Sequence, residues 1–265
     1  MALPPPDPGS TCLVTGASSG IGADIARALA ARGHGVTLVA RRTERLEALA
    51  GELRARDGIR VETLGCDLGD AEARERLSAE IEERGLEVEV LVNNAGFGTG
   101  GRFDRLDPKR ELDMVRLNVE AVVDLCGRYV PRLVRRGRGA VLNLASTAAF
   151  QPLPRQATYA ASKAFVLTFT DGLHQDLAGT GVTATTLCPG PVKTEFWTNA
   201  GIESGGLPGF ILTESAAVAE AGVLGLEKGR RVVVPGPLNR VSALGGQHAP
   251  RGLLLRVAGK VYPVR

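Results

Sequence analysis

CLVTGASSGIGADIARALAARG, residues 12–33, passes from a short apolar run into a glycine-rich turn, TGASSGIG (Thr15 to Gly22), and then into a helical pattern. A short apolar run bounded by glycine reads as a buried strand. Apolar positions recurring three and four apart read as an amphipathic helix. In such a strand–turn–helix, Gly16 makes the tight turn, Gly20 lets backbone approach a pyrophosphate, and Gly22 allows the helix to pack closely on the strand. The helix amino terminus then offers unpaired N–H groups and the positive end of its dipole to an anion. Glycines at this spacing also occur in turns that bind nothing, so the surrounding pattern decides.

That pattern repeats. GVTLVA precedes TERLEALAGELRAR, RVETLGC precedes AEARERLSAEIEERG, and VEVLVN comes next. A long helix is expected from about Pro108 to Arg136, then AVLNLAS, the helix QATYAASKAFVLTFTDGLHQDL, TATTLC, ESAAVAEAGVLGLEKG and RVVVPG. Apolar strands joined by helices predict a parallel sheet covered on both faces. Right-handed crossovers make it doubly wound, an α/β fold in three layers, with ligands at the carboxyl ends of the strands. Residues 10–265 read as one dinucleotide-binding and catalytic domain. The prolines of MALPPPDPGS make 1–9 an extended, mobile arm, and no apolar stretch after the first Met suggests a signal peptide.

At 265 residues with a net charge of +3, acids and bases are interspersed, which argues against a nucleic-acid footprint. No apolar stretch approaches the roughly 18 residues a membrane span needs. Four cysteines, Cys12, Cys66, Cys126 and Cys188, are scattered without metal spacing, and three histidines do not cluster. Reduced, buried thiols in a cytoplasmic protein and no metal are the expectation. Cys66 and Cys188 read as strand-end packing thiols, and His174 as a surface or contact residue.

Two later stretches carry chemistry. YAASK places Tyr159 and Lys163 one helical turn apart on one face. An ammonium beside a phenol favours the phenolate and makes it usable as a proton carrier near neutral pH. VLNLAS puts Ser146 at a strand end, where a serine is ordinarily a cap or turn residue. With T-G-x-x-x-G-x-G, NNAG (Asn93 to Gly96) and Y-x-x-x-K in this order, the chain resembles the short-chain dehydrogenase/reductase family over nearly its whole length.

The resemblance implies a Rossmann-type sheet of about seven strands and hydride transfer between a nicotinamide cofactor and a ketone, aldehyde or alcohol. It implies that Tyr159 acts as acid and base, Ser146 steadies the substrate oxygen, Lys163 holds the nicotinamide ribose, and Asn118, in RLNVEAVV, keeps a water beside that lysine. Cofactor contacts are implied at Gly16, Ser18, Ser19, Gly20, Ile21 and Gly22, at Asp67 and Leu68 near the adenine, and at Asn94, Ala95 and Gly96, with Asn93 beside the adenosine. Asn118, Tyr159 and Lys163 belong to the same set, and Pro189, Gly190, Val192 and Thr194 lie against the nicotinamide amide. A homodimer or homotetramer is implied, with the 108–136 and Tyr159 helices at one interface.

LVARRTERL identifies the cofactor as NADP(H). No acid stands after the second strand to accept from a ribose 2′-hydroxyl; Arg41 and Arg42 are there instead and suit a 2′-phosphate. The segment at about 195–213 resembles the family's lid, and its apolar content suits a lipophilic substrate. The extension at about 237–265 reads as a subunit contact in preference to a membrane-surface helix. A non-catalytic NADP(H)-sensing regulator is the alternative, opposed by the complete Asn118, Ser146, Tyr159, Lys163 set. A nucleotide-sugar enzyme is disfavoured by the glycine spacing.

Overall fold

The computed structural model describes residues 3–200 and 212–261. The glycine-rich turn lies where expected, between β1 (Ser10–Thr15) and α1 (Gly20–Ala30). The alternation then runs through β2 (Val36–Ala40), α2 (Thr43–Asp57), β3 (Val61–Gly65), α3 (Ala71–Glu83) and β4 (Glu87–Asn93). Next come α4 (Pro108–Val115), α5 (Ala121–Arg136), β5 (Gly139–Leu144), α6 (Ala157–Asp176), β6 (Val182–Leu187), the short α7 (Phe196–Asn199), α8 (Ser215–Glu227) and β7 (Val232–Val233). Two helices, α9 (Pro237–His248) and α10 (Arg251–Val261), come after the sheet.

Among the described residues the sheet has seven strands, all pairings parallel, in the order β3-β2-β1-β4-β5-β6-β7. The order reverses between β1 and β4, and a doubly wound sheet opens its ligand crevice there. Both faces are buried, so successive side chains of one strand enter different layers. Cys12 and Val14 pack with Ile25, Leu29, Leu53 and Val223 of α1, α2 and α8. Leu13, between them, packs with Leu77, Leu125, Tyr129 and Val166 of α3, α5 and α6.

Local chemistry sets the helix ends. Asp70 caps α3, accepting from Glu72 N and Ala73 N, and Asp107 caps α4 ahead of Pro108. The single helix expected over 108–136 is interrupted by a π-helical turn at Arg116–Glu120. Of the arm expected at 1–9, residues 3–9 are described. Leu3 is buried in the core, and Asp7 accepts from Arg138 Nη2 at 2.8 Å and from Gly9 N at 2.9 Å. The apolar anchor and the ion pair hold a segment whose prolines already restrict its freedom.

A buried amide chain ties sheet to helix. Asn93 Nδ2 donates to Asn143 Oδ1 at 2.8 Å, Asn143 Nδ2 donates to Thr170 Oγ1 at 2.9 Å, and the threonine donates to Val166 O at 2.7 Å. Asn143 thereby locks β4 and β5 to α6, and leaving its partners unpaired in a dry core is expensive. Asn143→Ala is expected to lower unfolding free energy by about 2–4 kcal/mol. Urea denaturation measures it; a loss under about 1 kcal/mol would mean that water repairs the network.

Candidate active site

The turns and loops at the carboxyl ends of the strands build the site. After β1, Gly16 and Gly20 take φ of +66° and +55°. A Cβ on Gly16 would lie 2.7 Å from Asn94 Nδ2, and one on Gly22 2.3 Å from the same atom. Asn94 occupies that space because its carboxamide donates to Thr15 O at 2.8 Å and Gly16 O at 3.2 Å, clamping the turn after β1 to the loop after β4. Thr15 Oγ1 accepts from Asn94 N and Ala95 N in return. Ser19 stands at the N-cap of α1 without a side-chain cap hydrogen bond, leaving first-turn N–H groups open to an anion.

Asn118 lies within the π turn and is 1% exposed. Its Nδ2 donates to Phe97 O at 2.9 Å and Ser162 Oγ at 3.1 Å, while its Oδ1 accepts from Phe97 N at 3.1 Å. It therefore pins the chain just beyond NNAG to the Tyr159 helix. A π turn inserted in a helix is a frequent mark of a functional position. Gly96 is needed here, since a Cβ on it would come within 2.9 Å of Asn118 Oδ1 and 3.4 Å of Lys163 Nζ.

A cleft of about 540 Å³ runs over these strand ends. Gly16, Ser19, Gly20, Ile21, Asn94, Ala95 and Gly96 line one part. Ser146, Tyr159, Lys163, Pro189, Gly190, Val192 and Thr194 line the cleft as well. Ser146 keeps its ordinary role as well, capping the 3-10 turn Thr147–Phe150 by accepting from Ala148 N at 3.1 Å. Lys163 Nζ donates to Leu144 O at 2.9 Å and lies 5.9 Å from the centre of the Tyr159 ring.

Burial dominates the electrostatics of this pair. It pushes the Tyr159 phenol up to about 12, with a hydrogen bond from Ser146 acting downward. It pulls the Lys163 ammonium down to about 8. The lowering of the phenol expected from its lysine neighbour is not what sets its titration here; burial, which disfavours the phenolate, does. Cys66 and Cys188 fit the packing assignment: both are buried, and burial raises them to about 11 and about 12.

Other expected residues are placed differently. Asn93 points into the core amide chain and does not reach the cleft. Asp67 and Arg41 are largely exposed, 4.0 Å apart. Arg74, 2% exposed, holds Leu68 O at 2.8 Å and thereby steadies the loop after β3. Arg42 reaches the glycine-rich turn, with Nη2 donating to Ser18 Oγ at 3.0 Å and Ser19 Oγ at 2.8 Å. His174 is half-buried and donates from Nδ1 to Ala184 O at 2.8 Å, bracing α6 on β6.

Sequence reasoning missed part of the wall. Phe97, Leu153 and Gln156 line the cleft and α9 closes it with Leu238, Asn239 and Ser242, beside Phe196 and Trp197 from the segment expected to cover the substrate. The Phe196 ring lies 5.3 Å from that of Tyr159. Apolar residues beside glycine and proline in loops were the signal for the aromatics; nothing local marks α9. Of the segment assigned to a lid at 195–213, residues 201–211 lie outside the described residues, as do 262–265 of the C-terminal extension. A larger groove of about 1060 Å³ runs on the other side of α6, beside α9 and α10, and contains none of Ser146, Tyr159 or Lys163.

Against the expected scatter of metal-ligand types, one group among the described residues does meet. Cys12, His34 and Glu89 are all buried, with His34 Nδ1 3.3 Å from Glu89 Oε1, toward the amino ends of β1 and β4. Among the described residues, no helix is long and apolar enough to cross a membrane.

This fold and cleft define a dinucleotide-binding oxidoreductase scaffold. A family model described as short chain dehydrogenase matches residues 10–204, and the chain belongs to that family. It is 39% identical over 191 residues to sulfoacetaldehyde reductase 2 of Chromohalobacter salexigens, covering 69% of this chain and 73% of that one. It is 40% identical over 184 residues to a putative ketoacyl reductase of Streptomyces coelicolor, covering 69% and 70%. Among solved structures, a short-chain dehydrogenase from Sphingobium yanoikuyae in complex with NADPH aligns with a TM-score of 0.80 and 34% identity, covering 97% of this chain and 96% of that one.

The Lys163 shift has a sign that can be measured. Folded, the ammonium sits near 8 against an ordinary 10.5. Below about pH 8 both states hold the proton and the burial cost is fully present; from 8 to 10.5 the unfolded chain holds more protons, so stability rises with pH. Tyr159, raised from 10 to about 12, acts oppositely and only above pH 10. Lys163→Met should remove the rise, so the melting temperature of wild type minus that of the variant is expected to increase between about pH 7 and 9.5. A constant difference would exclude a buried, penalised ammonium.

Proposed function

We propose that the protein is an NADP(H)-dependent reductase of a ketone or aldehyde, or dehydrogenase of the corresponding alcohol. The observation that carries this reading is the convergence of Ser146, Tyr159 and Lys163 in one cleft under a glycine turn that leaves an open helix amino terminus. The glycine cradle, the uncapped first turn of α1 and Arg42 at Ser18 and Ser19 fit a phosphorylated dinucleotide, and the NADPH held by the Sphingobium relative supports the choice. The bound nicotinamide supplies or accepts the hydride.

The chain's own residues manage the proton and the substrate oxygen. Tyr159 Oη donates a proton to the carbonyl oxygen as negative charge develops there, and its high value in the buried site keeps it protonated until that moment. Ser146 Oγ–H turns from its long contact with Pro189 O, 3.4 Å, to donate to the same oxygen. Lys163, fixed by Leu144 O, stabilises the phenolate that remains and binds the nicotinamide ribose. Asn118 holds the Phe97 backbone and leaves the space beside Lys163 from which the proton is restored. Cofactor contacts are assigned to Gly16, Ser18, Ser19, Gly20, Ile21, Gly22, Arg42, Asn94, Ala95, Gly96, Pro189, Gly190, Val192 and Thr194. Arg41, Asp67 and Leu68 form the adenine edge. Phe97, Leu153, Phe196, Trp197 and Leu238 give the substrate end an apolar wall, which favours a lipophilic carbonyl compound.

Tyr159→Phe is expected to fold and to bind NADPH while losing at least about 10²-fold in reduction of ketones and aldehydes, since the transferable proton alone is removed. Dihydronicotinamide absorbance across a carbonyl panel reads it. Near-normal turnover in the variant would remove Tyr159 from its role, and no turnover by wild type on any carbonyl compound would favour the sensing regulator.

Assembly as a homo-oligomer is part of the same reading. Leu112, Val123 and Phe165 on α4, α5 and α6 are 57%, 40% and 42% exposed, apolar surface that a second copy would cover. Light scattering at micromolar concentration should give at least a dimer, and Phe165→Glu should shift it toward monomer; a monomeric wild type would remove this assignment.

A further inference from the structure

Arginines and not an acid directly follow β2 in the sequence, yet an acid stands beside them in space. Glu195, between Thr194 and α7, sets its carboxylate between two guanidinium groups. Its Oε2 accepts from Arg42 Nη1 at 2.8 Å and its Oε1 from Arg45 Nη1 at 2.7 Å. Arg42 turns the rest of its fork toward Ser18 and Ser19 on the glycine-rich turn. The protein thus already holds one anion between two arginines beside the glycine-rich turn assigned to the dinucleotide. Arg42 first, and Arg45 with it, hold the Glu195 carboxyl at about 2, so it is ionised throughout the neutral range.

We propose that Glu195 is a specificity-determining residue: its carboxylate occupies the 2′-phosphate position in the free protein, and NADPH binds by displacing it from Arg42 and Arg45. The inference rests on the NADP(H) reading and adds Arg45 to the phosphate site. The three side chains are 45%, 41% and 48% exposed, so the existing pairs are wet and weak. A phosphate monoester brings a charge of about −1.5 to −2 and three acceptor oxygens, and two planar forks bind it better than they bind one carboxylate. The displaced carboxylate stays close in sequence to the nicotinamide-side residue Thr194 and repels the phosphate that replaced it. NADH carries a hydroxyl at that position and leaves the ion pairs intact. Glu195 therefore subtracts from the affinity for NADPH and leaves that for NADH unchanged.

The test is calorimetric titration of the full-length wild type and Glu195→Gln with NADPH, NADH, 2′,5′-ADP and 5′-AMP at low salt. Glu195→Gln is expected to tighten NADPH and 2′,5′-ADP about three- to tenfold, the scale of two exposed ion pairs, and to leave NADH and 5′-AMP within about twofold. The gain should shrink as salt is raised, since the groups involved are solvent-exposed. In an Arg45→Gln background it should shrink too, because one of the contested guanidiniums is gone. A wild type that prefers NADPH, with a preference that Glu195→Gln leaves unchanged or lowers, overturns the proposal and leaves the cofactor reading standing; so does an undiminished gain without Arg45. A wild type that binds NADPH no more tightly than NADH overturns the cofactor reading and the proposal together.

Discussion

The carboxamide of Asn94, donating to the carbonyls of Thr15 and Gly16, is the contact on which the site depends. It brings the loops after β1 and β4 together where the strand order reverses, and the crevice opens just above it. The approach is too close for a Cβ at residues 16 or 22, so two glycines and one asparagine act as a unit. The geometry of the glycine turn therefore depends on a side chain far along the chain, held by β4's pairing with β1.

A second constraint works through α6. The buried amide chain of Asn93, Asn143 and Thr170 fixes the helix against the sheet from one side, and His174 braces it on β6. Asn118 fixes it from another side through Ser162, one residue before Lys163. Tyr159 and Lys163 thus stand on a helix whose rotation and depth are set by hydrogen bonds that must be satisfied in a dry interior.

That dryness sets the electrostatic character of the site. Burial opposes charge on both the phenol and the ammonium. A phenol kept neutral is a competent proton donor to an oxygen that is gaining charge, and an ammonium near 8 remains largely protonated at neutral pH. The surroundings of Arg42 and Arg45 are the reverse: exposed and ionic. The Thr194–Phe196 segment touches both regions, through Glu195 at the arginines and Phe196 at Tyr159.

The sequence by itself determined the seven strands, the helices between most of them, the glycine turn and the joint presence of Ser146, Tyr159 and Lys163, because each depends on residue type and local spacing. Period two against period three to four distinguishes strand from helix, and a four-residue separation puts two side chains on one helix face. Only the tertiary structure decided what depends on partners distant in the chain. The π turn at Asn118 lies within a stretch whose helical periodicity is unbroken. Asn93 and Asn94 are adjacent and identical, yet strand alternation sends the first into the core and the turn after β4 sends the second to Gly16. Burial, which raises the Tyr159 phenol where spacing alone suggested a lowering, is a property of the whole fold. Glu195 meets Arg42 across 153 residues of sequence, and α9 closes the cleft by packing against the 3-10 turn after β5; neither leaves a local mark, because the free energy of each contact belongs to the two elements jointly and to neither sequence alone.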